Sequence, residues 1–357
     1  MQWGSKERWI VSIFICTTYK KNKMKKIIIF LLLSEVLSGQ KTEIIELNQN
    51  IKDKKGLTKS LTLIDNRNDK TIGTITGKKG TSDIKFADED LKNHVETWFA
   101  DDNKVKGNND ITMLLEEVKI SSFQNTGLAK VKIKVSSFIN RSGKYFFINR
   151  YYNTLSFNSK LTPNIPREVS SSISDVLSSF INESYSHTVL STPILESELK
   201  DYETILEKNM KFITSPELVN GVYKDFKSFS EQKPQKEYYI GKNKKGKVIG
   251  VKDQNDLLVL TEEMYGYVED GKAYRSTPVG FLEINKDDKG YYIVSSRLEL
   301  YPKNNNSGAM IGAMTGGIAG GLIGAAIDSG SKTDRNANTT LSHVYIDSLT
   351  GAYIFEK

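Results

Sequence analysis

One stretch near the C-terminus restricts what this chain can fold into more than any other part of the sequence. It repeats glycine at an unbroken spacing of four residues, at Gly308, Gly312, Gly316, Gly320 and Gly324. On an α-helix, residues four apart lie almost above one another, so these glycines would form one row without side chains. The row beside it holds only Ala and Gly, and the other two rows are mostly bulky. The spacing therefore predicts a helix with a groove into which a second backbone can pack closely.

This helix would be unstable in water. Residues 308–327 carry no charge over 20 positions, about the length that crosses a bilayer at ~1.5 Å per residue. Seven positions between 308 and 324 are glycine, and each costs roughly 1 kcal/mol relative to alanine inside a helix. Lipid, another copy of the chain or the body of the protein must then stabilise the segment. A flexible linker is the alternative interpretation, because residues 304–307 and 329–332 are polar.

Residues 304–332, called the zipper segment below, resemble the glycine-zipper segments of cell-envelope proteins of gram-negative bacteria. Those segments are usually longer and fold as a helical hairpin. The resemblance implies a helix that packs through the five glycines and associates with a membrane or with further copies of the chain. It implies no reaction and no cofactor.

The N-terminus predicts export. Met24 is followed by two lysines and then by the apolar run 27–33, which gives the basic and apolar regions of a secretory signal. The run is too short for an ordinary membrane span, and small residues just before Gln40 offer a cleavage point. We therefore interpret residues 1–39 as an upstream extension plus a signal peptide. The alternative is a genuine N-terminal extension with its own short apolar run at 9–16.

Charge and cysteine content narrow the possible functions. Residues 1–39 hold seven Lys or Arg and two acidic residues, which accounts for five of the seven net positive charges of the chain. The remainder is nearly balanced and lacks the electrostatic footprint of a nucleic-acid-binding protein. Cys16 is the only cysteine and precedes the expected mature start. The mature chain would then have neither a disulfide nor a cysteine-based metal site.

Residues 40–190 predict an α+β domain. Strands are expected at 42–47, 60–64, 71–75, 112–123, 128–138 and 145–157. Apolar residues alternate with lysines from Lys130 to Val135, which predicts an antiparallel sheet with one solvated face. Helices at 88–101 and 166–183 carry apolar faces that would cover this sheet. The order of these elements resembles that of the periplasmic auxiliary lipoproteins of gram-negative transport systems.

The pattern changes after residue 190. We expect a charged helical connector at 191–215, formed by a helix at 196–211. A β-rich domain should follow at 216–303, with a hairpin at 265–274 that turns at Asp270-Gly271. A second strand pair is expected between 281–284 and 291–294. Residues 221–229 with Lys233-Pro234 and the 265–274 hairpin resemble a β-rich module of uncharacterised secreted proteins of gram-negative bacteria, and that resemblance implies no known activity.

The last part of the chain continues the β pattern. Residues 333–357 predict a C-terminal hairpin from strands at 342–346 and 352–355. The zipper segment therefore interrupts a β-rich region. A single membrane crossing by this segment would separate the final hairpin from the strands with which it is expected to pair.

Residues with chemical potential are scattered. His94, His187 and His343 do not form a metal-binding pair, and each is best interpreted as a structural residue. The serines at 170–172 and 178–179 should lie on the solvated face of a helix. The lysine cluster at 242–247 predicts a hairpin turn, with contact to a lipid headgroup as the alternative. We therefore predict no catalytic residue, no cofactor and no metal site.

These observations lead to one hypothesis and three alternatives. The chain is expected to be a non-enzymatic, exported protein of the periplasm or outer membrane that uses the zipper segment to associate with a membrane. The segment is also expected to join copies of the chain into a homo-oligomer. The alternatives are a soluble secreted protein that oligomerises through the same glycines, a pore former, and an enzyme. No nucleic-acid partner is expected, and no small-molecule ligand can be named.

Overall fold

The computed structural model describes residues 41–355 except 105–106, 124–126, 161, 187–188, 247, 261–262 and 302–339. It is a mixed α+β structure with about 22% helix, 45% strand and several sheets. The expected signal peptide, the zipper segment and His187 lie outside the described residues.

The elements are numbered here in chain order. The strands are β1 (Lys41–Ile45), β2 (Thr58–Asp65), β3 (Gly73–Gly77), β4 (Gly80–Phe86), β5 (Asn109–Phe123), β6 (Leu128–Arg141), β7 (Lys144–Asn158), β8 (Pro193–Leu195), β9 (Gly221–Tyr223), β10 (Tyr238–Lys242), β11 (Val248–Asp253), β12 (Leu258–Val259), β13 (Gly266–Glu269), β14 (Lys272–Thr277), β15 (Gly280–Glu283), β16 (Asn285–Asp287), β17 (Gly290–Ser295), β18 (Ser342–Ile346) and β19 (Tyr353–Ile354). The helices are α1 (Leu91–Asp102), α2 (Ile165–Ser184), α3 (Tyr202–Glu207), α4 (Lys211–Thr214), α5 (Phe226–Ser230) and α6 (Arg297–Leu300), with a 3-10 helix at Glu196–Asp201.

The largest sheet has the strand order β2-β5-β6-β7-β8. Its long strands β5, β6 and β7 follow the predicted antiparallel order, but β2 pairs with β5 in parallel. The sheet is therefore mixed, which corrects the expectation of a purely antiparallel one. A parallel pair needs a crossover connection, and here it runs through β3, β4 and α1. Asp90 caps α1, because its carboxylate accepts a hydrogen bond from the Asn93 amide at 3.1 Å.

Helix α2 lies between two sheets. Its predicted apolar face is buried, from Val169 to Ile181. The small sheet β1-β4-β3 packs on another side of the same helix. Ser170 and Ser178 are consequently buried, and the prediction that these serines lie on a solvated face is wrong for both. Ser174 is buried as well, and its hydroxyl donates to the carbonyl of Glu46, the residue that follows β1, at 2.6 Å.

The second face of the large sheet is covered over part of its area, which corrects the prediction of a solvated face there. Phe138 and Phe147 project from it, and the ring of Tyr202 packs on both at centroid distances of 5.2 and 6.1 Å. Tyr202 begins α3, within the segment expected to be a single connector helix. That segment instead splits into a 3-10 helix, α3 and α4, because its apolar residues must follow the surface of the sheet.

The β-rich part contains three further sheets, ordered β15-β14-β13-β9, β10-β11-β12 and β16-β17-β18-β19. The predicted hairpin at 265–274 is confirmed as β13 and β14, and its turn residues Asp270 and Gly271 both have positive φ, as a type I′ turn requires. The predicted pairing of 281–284 with 291–294 is wrong. β15 pairs with β14, and β17 pairs with β16, because the chain passes from one sheet to the next between Glu283 and Asn285.

The C-terminal hairpin is confirmed and packs against the large sheet. β18 pairs with β19 and with β17. The Asn153 side chain on β7 donates to the Tyr353 carbonyl at 2.8 Å and accepts from the Phe355 amide at 3.1 Å. Buried residues of the hairpin, including Val344 and Tyr353, belong to the same hydrophobic core as α1, α2 and the large sheet.

Candidate functional site: the insertion point of the zipper segment

The zipper segment leaves the body and returns to it at two adjacent strands. β17 precedes it and β18 follows it, and these strands are antiparallel partners with Ser295 opposite Ser342. Between β17 and the segment lies only α6, which begins at a capping box formed by Ser296 and Glu299. Paired residues in a ladder are about 5 Å apart. The insertion therefore opens and closes at nearly one point of the structure.

Aromatic and arginine side chains attach the chain that follows β17 to the end of the C-terminal hairpin. The Arg297 guanidinium lies 4.6 Å from the centroid of the Phe355 ring and donates to the Thr154 carbonyl at 3.2 Å. Tyr301, the last described residue before the zipper segment, is buried against Tyr353 and Phe355. The described chain before the zipper segment therefore ends at a buried residue of the core.

Several tyrosines near the insertion point are deeply buried. Burial raises the pKa of Tyr151, Tyr265 and Tyr301 well above the ordinary range, although neighbouring arginines oppose the shift. Their hydroxyls have no hydrogen-bond partner among the described residues. The Arg275 guanidinium lies 4.0 Å from the centroid of the Tyr265 ring. These phenols stay neutral near pH 7, so they are unsuited to act as bases or nucleophiles.

A buried ion network fixes the turn that follows β18. Arg150 on β7 is 3% exposed and its Nε donates to Asp347 Oδ2 at 2.7 Å, while Asp347 itself is 2% exposed. The other side of the guanidinium pairs with Glu203 on α3 at 2.6 Å. Lys134 on β6 pairs with Glu203 and, at 3.1 Å, with Glu116 on β5. One network therefore connects the large sheet, α3 and the C-terminal hairpin.

The positive charges in this network keep its buried carboxyl groups ionised. Burial would raise the pKa of Asp347, but the charge and hydrogen bond of Arg150 and the amides of Leu349 and Thr350 outweigh burial and lower it. Burial would also raise the pKa of Glu203, and Arg150 and Lys134 lower it. All these groups are then ionised at neutral pH. A network without an unpaired base is suited to hold the hairpin and not to transfer protons.

Neutral groups complete the network. The hydroxyls of Ser136 and Tyr202 are 2.6 Å apart, and the Tyr202 hydroxyl donates to Glu116 Oε2 at 3.1 Å. Burial raises the pKa of Tyr202 well above its ordinary range. Beyond the ion network, Ser348 donates to Glu207 at 2.5 Å. The turn between β18 and β19 is therefore attached to α3 by a second contact.

Two open clefts lie away from the insertion point. One, of about 560 Å³, is lined by polar residues that include Lys92, Asp110, Asn140 and Tyr145. The other, of about 520 Å³, lies beside Lys52, Lys55, Asn182 and Tyr185. In the first cleft the Ser60 hydroxyl donates to Asp110 Oδ1 at 2.5 Å, and Lys59 pairs with the same carboxylate at 3.2 Å. The hydrogen bond from Ser60 and the charge of Lys59 lower the pKa of Asp110, so this carboxylate is a weak base for activating the hydroxyl.

The described histidines do not form a site. His94 lies on α1 and is partly exposed. His343 is half exposed, stacks on Tyr292 with ring centroids 3.9 Å apart, and lies 3.6 Å from Asp287. In the described part of the chain, no group of three or more His, Cys, Asp or Glu side chains is arranged to hold a metal ion.

Sequence reasoning placed the zipper segment between two β elements, and the described flanks agree. The predicted helix-packing glycines, from Gly308 to Gly324, lie outside the described residues, so their packing stays a prediction. The Arg150–Asp347 pair was missed, because its members are 197 residues apart and neither stands in a motif.

Comparisons with known proteins add no family. No family model matches the chain, and neither the curated proteins nor the solved structures contain a match. Of the helices that the structure describes, none is long and apolar enough to cross a membrane.

Proposed function

We propose that this chain is a non-enzymatic, exported protein of the periplasm or outer membrane, whose body displays the zipper segment to a membrane and to further copies of the chain. In this proposal a mixed sheet covered by two helices is followed by a β-rich part that a glycine-zipper helix interrupts. The observation that carries the proposal is the pairing of Ser295 with Ser342, because it brings the strands on either side of the segment together in one sheet.

The same pairing restricts how the segment could enter a bilayer. The strands that flank it, β17 and β18, lie side by side, so a single crossing would require the chain to return across the hydrocarbon layer within residues 328–339. That stretch contains four charged residues, and its backbone groups would lack partners in lipid. We therefore propose that the segment associates with one face of the bilayer and does not cross it.

Self-association is the second candidate function. A row of five glycines allows two helix backbones to approach closely, and copies of the chain offer identical rows. A soluble secreted protein that oligomerises through this row would fit the same sequence. Fractionation of cells that make the native chain separates the two. Retention in the membrane pellet after carbonate and high-salt washes supports membrane entry, and full release by these washes supports the soluble oligomer.

Export gives a separate test. If the basic and apolar regions before Gln40 are a signal peptide, the mature protein is expected to begin near this residue. N-terminal sequencing of the chain purified from its native host measures the start directly. A mature chain that begins at Met1 and stays in the cytoplasm would contradict the proposed location.

The body should fold without the zipper segment. Replacement of residues 308–330 by a short Gly/Ser linker is expected to preserve cooperative unfolding, because β17 and β18 lie side by side and a short connection can join them. Urea denaturation followed by circular dichroism measures this. Loss of a single cooperative transition would show that the segment is instead part of the buried core.

A further inference from the structure

Exposed apolar side chains are concentrated on the three-stranded sheet β10-β11-β12, called the ribbon below. Leu257, Leu258 and Leu260 are 63%, 61% and 65% exposed, the highest values among the large hydrophobic residues of the described chain. Tyr239 and Ile249 of the same sheet are 44% and 51% exposed. A concentration of this kind on one element marks an interaction surface.

The pairing of the strands explains which face is open. Ile240, Val251 and Val259 are cross-strand partners, and they face the small core around Val222 and Tyr267. Side chains alternate along a strand, so the next positions point away from this core.

Those outward positions form one surface. Tyr239, Lys252 and Leu258 are the corresponding cross-strand partners, and Leu260 follows two residues later on the same side. Leu258 lies across Gly250, where a Cβ would stand only 2.9 Å from a leucine methyl carbon. The leucines therefore stand along the outer strand of the ribbon, with no further strand paired beside it in the described residues.

Lysines outnumber acidic residues along the ribbon, and one of them, Lys242, pairs with Glu269 at 2.6 Å. Residues 238–260 contain five lysines against two aspartates, a net charge of +3. Lys244 and Lys245 occupy the exposed turn at one end, and Lys252 lies in the middle, paired with Asp256 at 2.7 Å. The ribbon thus combines an apolar edge with an excess of positive charge, whereas the whole chain after residue 39 is nearly neutral.

We propose that the leucine edge of the ribbon docks into the interface of an anionic lipid membrane, with the lysines on the headgroups. This deepens the function proposed above and rests on its membrane partner, but it assigns a second contact outside the zipper segment. Charge complementarity favours lipid over a second copy of the chain, because two ribbons of the same positive charge would repel. The outer strand β12 is also only two residues long, too short for stable edge pairing between copies.

The test is binding of the chain, as purified from cells, to vesicles. One set contains phosphatidylglycerol and phosphatidylcholine, and the other contains phosphatidylcholine alone. The triple variant Leu257→Thr, Leu258→Thr, Leu260→Thr is expected to bind the anionic vesicles at least about tenfold more weakly than the parent does. The matched control is Leu57→Thr with Leu195→Thr, two leucines elsewhere that are 48% and 49% exposed, and it should bind as the parent does. Equal binding of the triple variant and the parent would overturn the proposal.

Two further measurements keep the proposal testable if the triple variant folds poorly. Lys244→Gln with Lys245→Gln changes only the exposed turn, and it should reduce the preference for anionic vesicles. Leu258→Trp places an indole on the edge, while Trp98, the only tryptophan after residue 39, is buried. Its emission should shift to the blue with anionic vesicles and be quenched by brominated lipid, and an unchanged spectrum would contradict insertion.

The zipper segment is tested in parallel with Gly316→Leu and Gly320→Leu. If these weaken binding and the ribbon variants do not, the proposed function stands and the ribbon proposal fails. If the ribbon variants weaken binding and the glycine variants do not, the ribbon proposal stands and the role of the zipper segment fails. If the ribbon variants lower the sedimenting mass of the chain without lipid, the ribbon binds a second copy and the lipid proposal is overturned.

Discussion

Replacement of Asp347 by alanine is expected to lower the free energy of unfolding by about 3–5 kcal/mol, the usual cost of removing one partner of a buried ion pair. The Arg150 guanidinium is 3% exposed and cannot reach water when its partner is lost. Glu203 would remain beside it, but that carboxylate is already shared with Lys134. The amides of Leu349 and Thr350 would also lose the acceptor that shapes their turn.

Urea denaturation of two companion variants separates these causes. Asp347→Asn keeps an oxygen for the two amides and removes only the charge, so it should lose most, but not all, of the same free energy. Ser348→Ala removes the neighbouring hydrogen bond to Glu207 and should cost about 1 kcal/mol. Equal midpoints for Asp347→Ala and Ser348→Ala would show that the ion pair does not hold the hairpin.

Acid should remove the same contribution from the unmodified protein. Because the folded pKa of Asp347 lies below its unfolded value, the stabilisation is complete above the unfolded pKa of about 3.9 and is lost as the pH falls through the lower folded pKa. Protonated Asp347 resembles asparagine. The difference in unfolding free energy between the parent and Asp347→Asn is therefore expected to be constant near pH 7 and to shrink below about pH 4. A difference that grew on acidification would contradict this assignment.

The sequence predicted elements well where one local pattern decides the outcome. The long strands β5, β6 and β7 and the amphipathic helix α2 lie within a few residues of their predicted bounds. Apolar residues alternate with lysines along β6, and α2 has a regular helical spacing of apolar residues. β5 and β7 are runs rich in β-branched or aromatic residues. The Asp270-Gly271 turn was predictable for a similar reason, because few residue pairs accept positive φ at both positions.

The predictions of solvent exposure are wrong where segments distant in the sequence cover a side chain. Ser170 and Ser178 look solvent-facing in the sequence, but a second sheet formed from residues before them packs over the helix. The lysines of β6 look equally exposed, yet Lys134 is 19% exposed because α3 brings Glu203 to it. A polar side chain predicts solvent only if no distant partner can neutralise it in the core. The Arg150–Asp347 pair is the clearest example.

The contacts that hold the C-terminal hairpin explain how the fold can include the zipper segment. Residues 340–355 follow Tyr301 only after 38 intervening residues of sequence, yet they pack in the same core as β7. Closing a loop of that length costs only a few kcal/mol of chain entropy, because the cost grows with the logarithm of length. The Asn153 and Arg150 contacts with the hairpin offset this cost. The body can thus carry the segment as an addition to an otherwise complete sheet.

The glycine row itself is tested by adding side chains at its centre. Gly316→Leu and Gly320→Leu are expected to weaken membrane retention and detergent-resistant self-association, because overpacking a close helix contact typically costs about 1–3 kcal/mol. Helix propensity alone acts in the opposite direction, since replacing glycine by leucine favours a helix in water by roughly 0.5–1 kcal/mol. The sign of the change therefore distinguishes a packed groove from an isolated helix.

Ile318→Leu is the matched control, since it alters the bulky side of the predicted helix without adding volume to the groove. It should retain the parent's behaviour in carbonate washes, chemical crosslinking and sedimentation. If all three variants behave as the parent does, no backbone approaches the glycine row, and the zipper segment acts as a linker. If both glycine variants fail and Ile318→Leu does not, close packing at Gly316 and Gly320 is what attaches the body to its membrane or to its neighbouring copy.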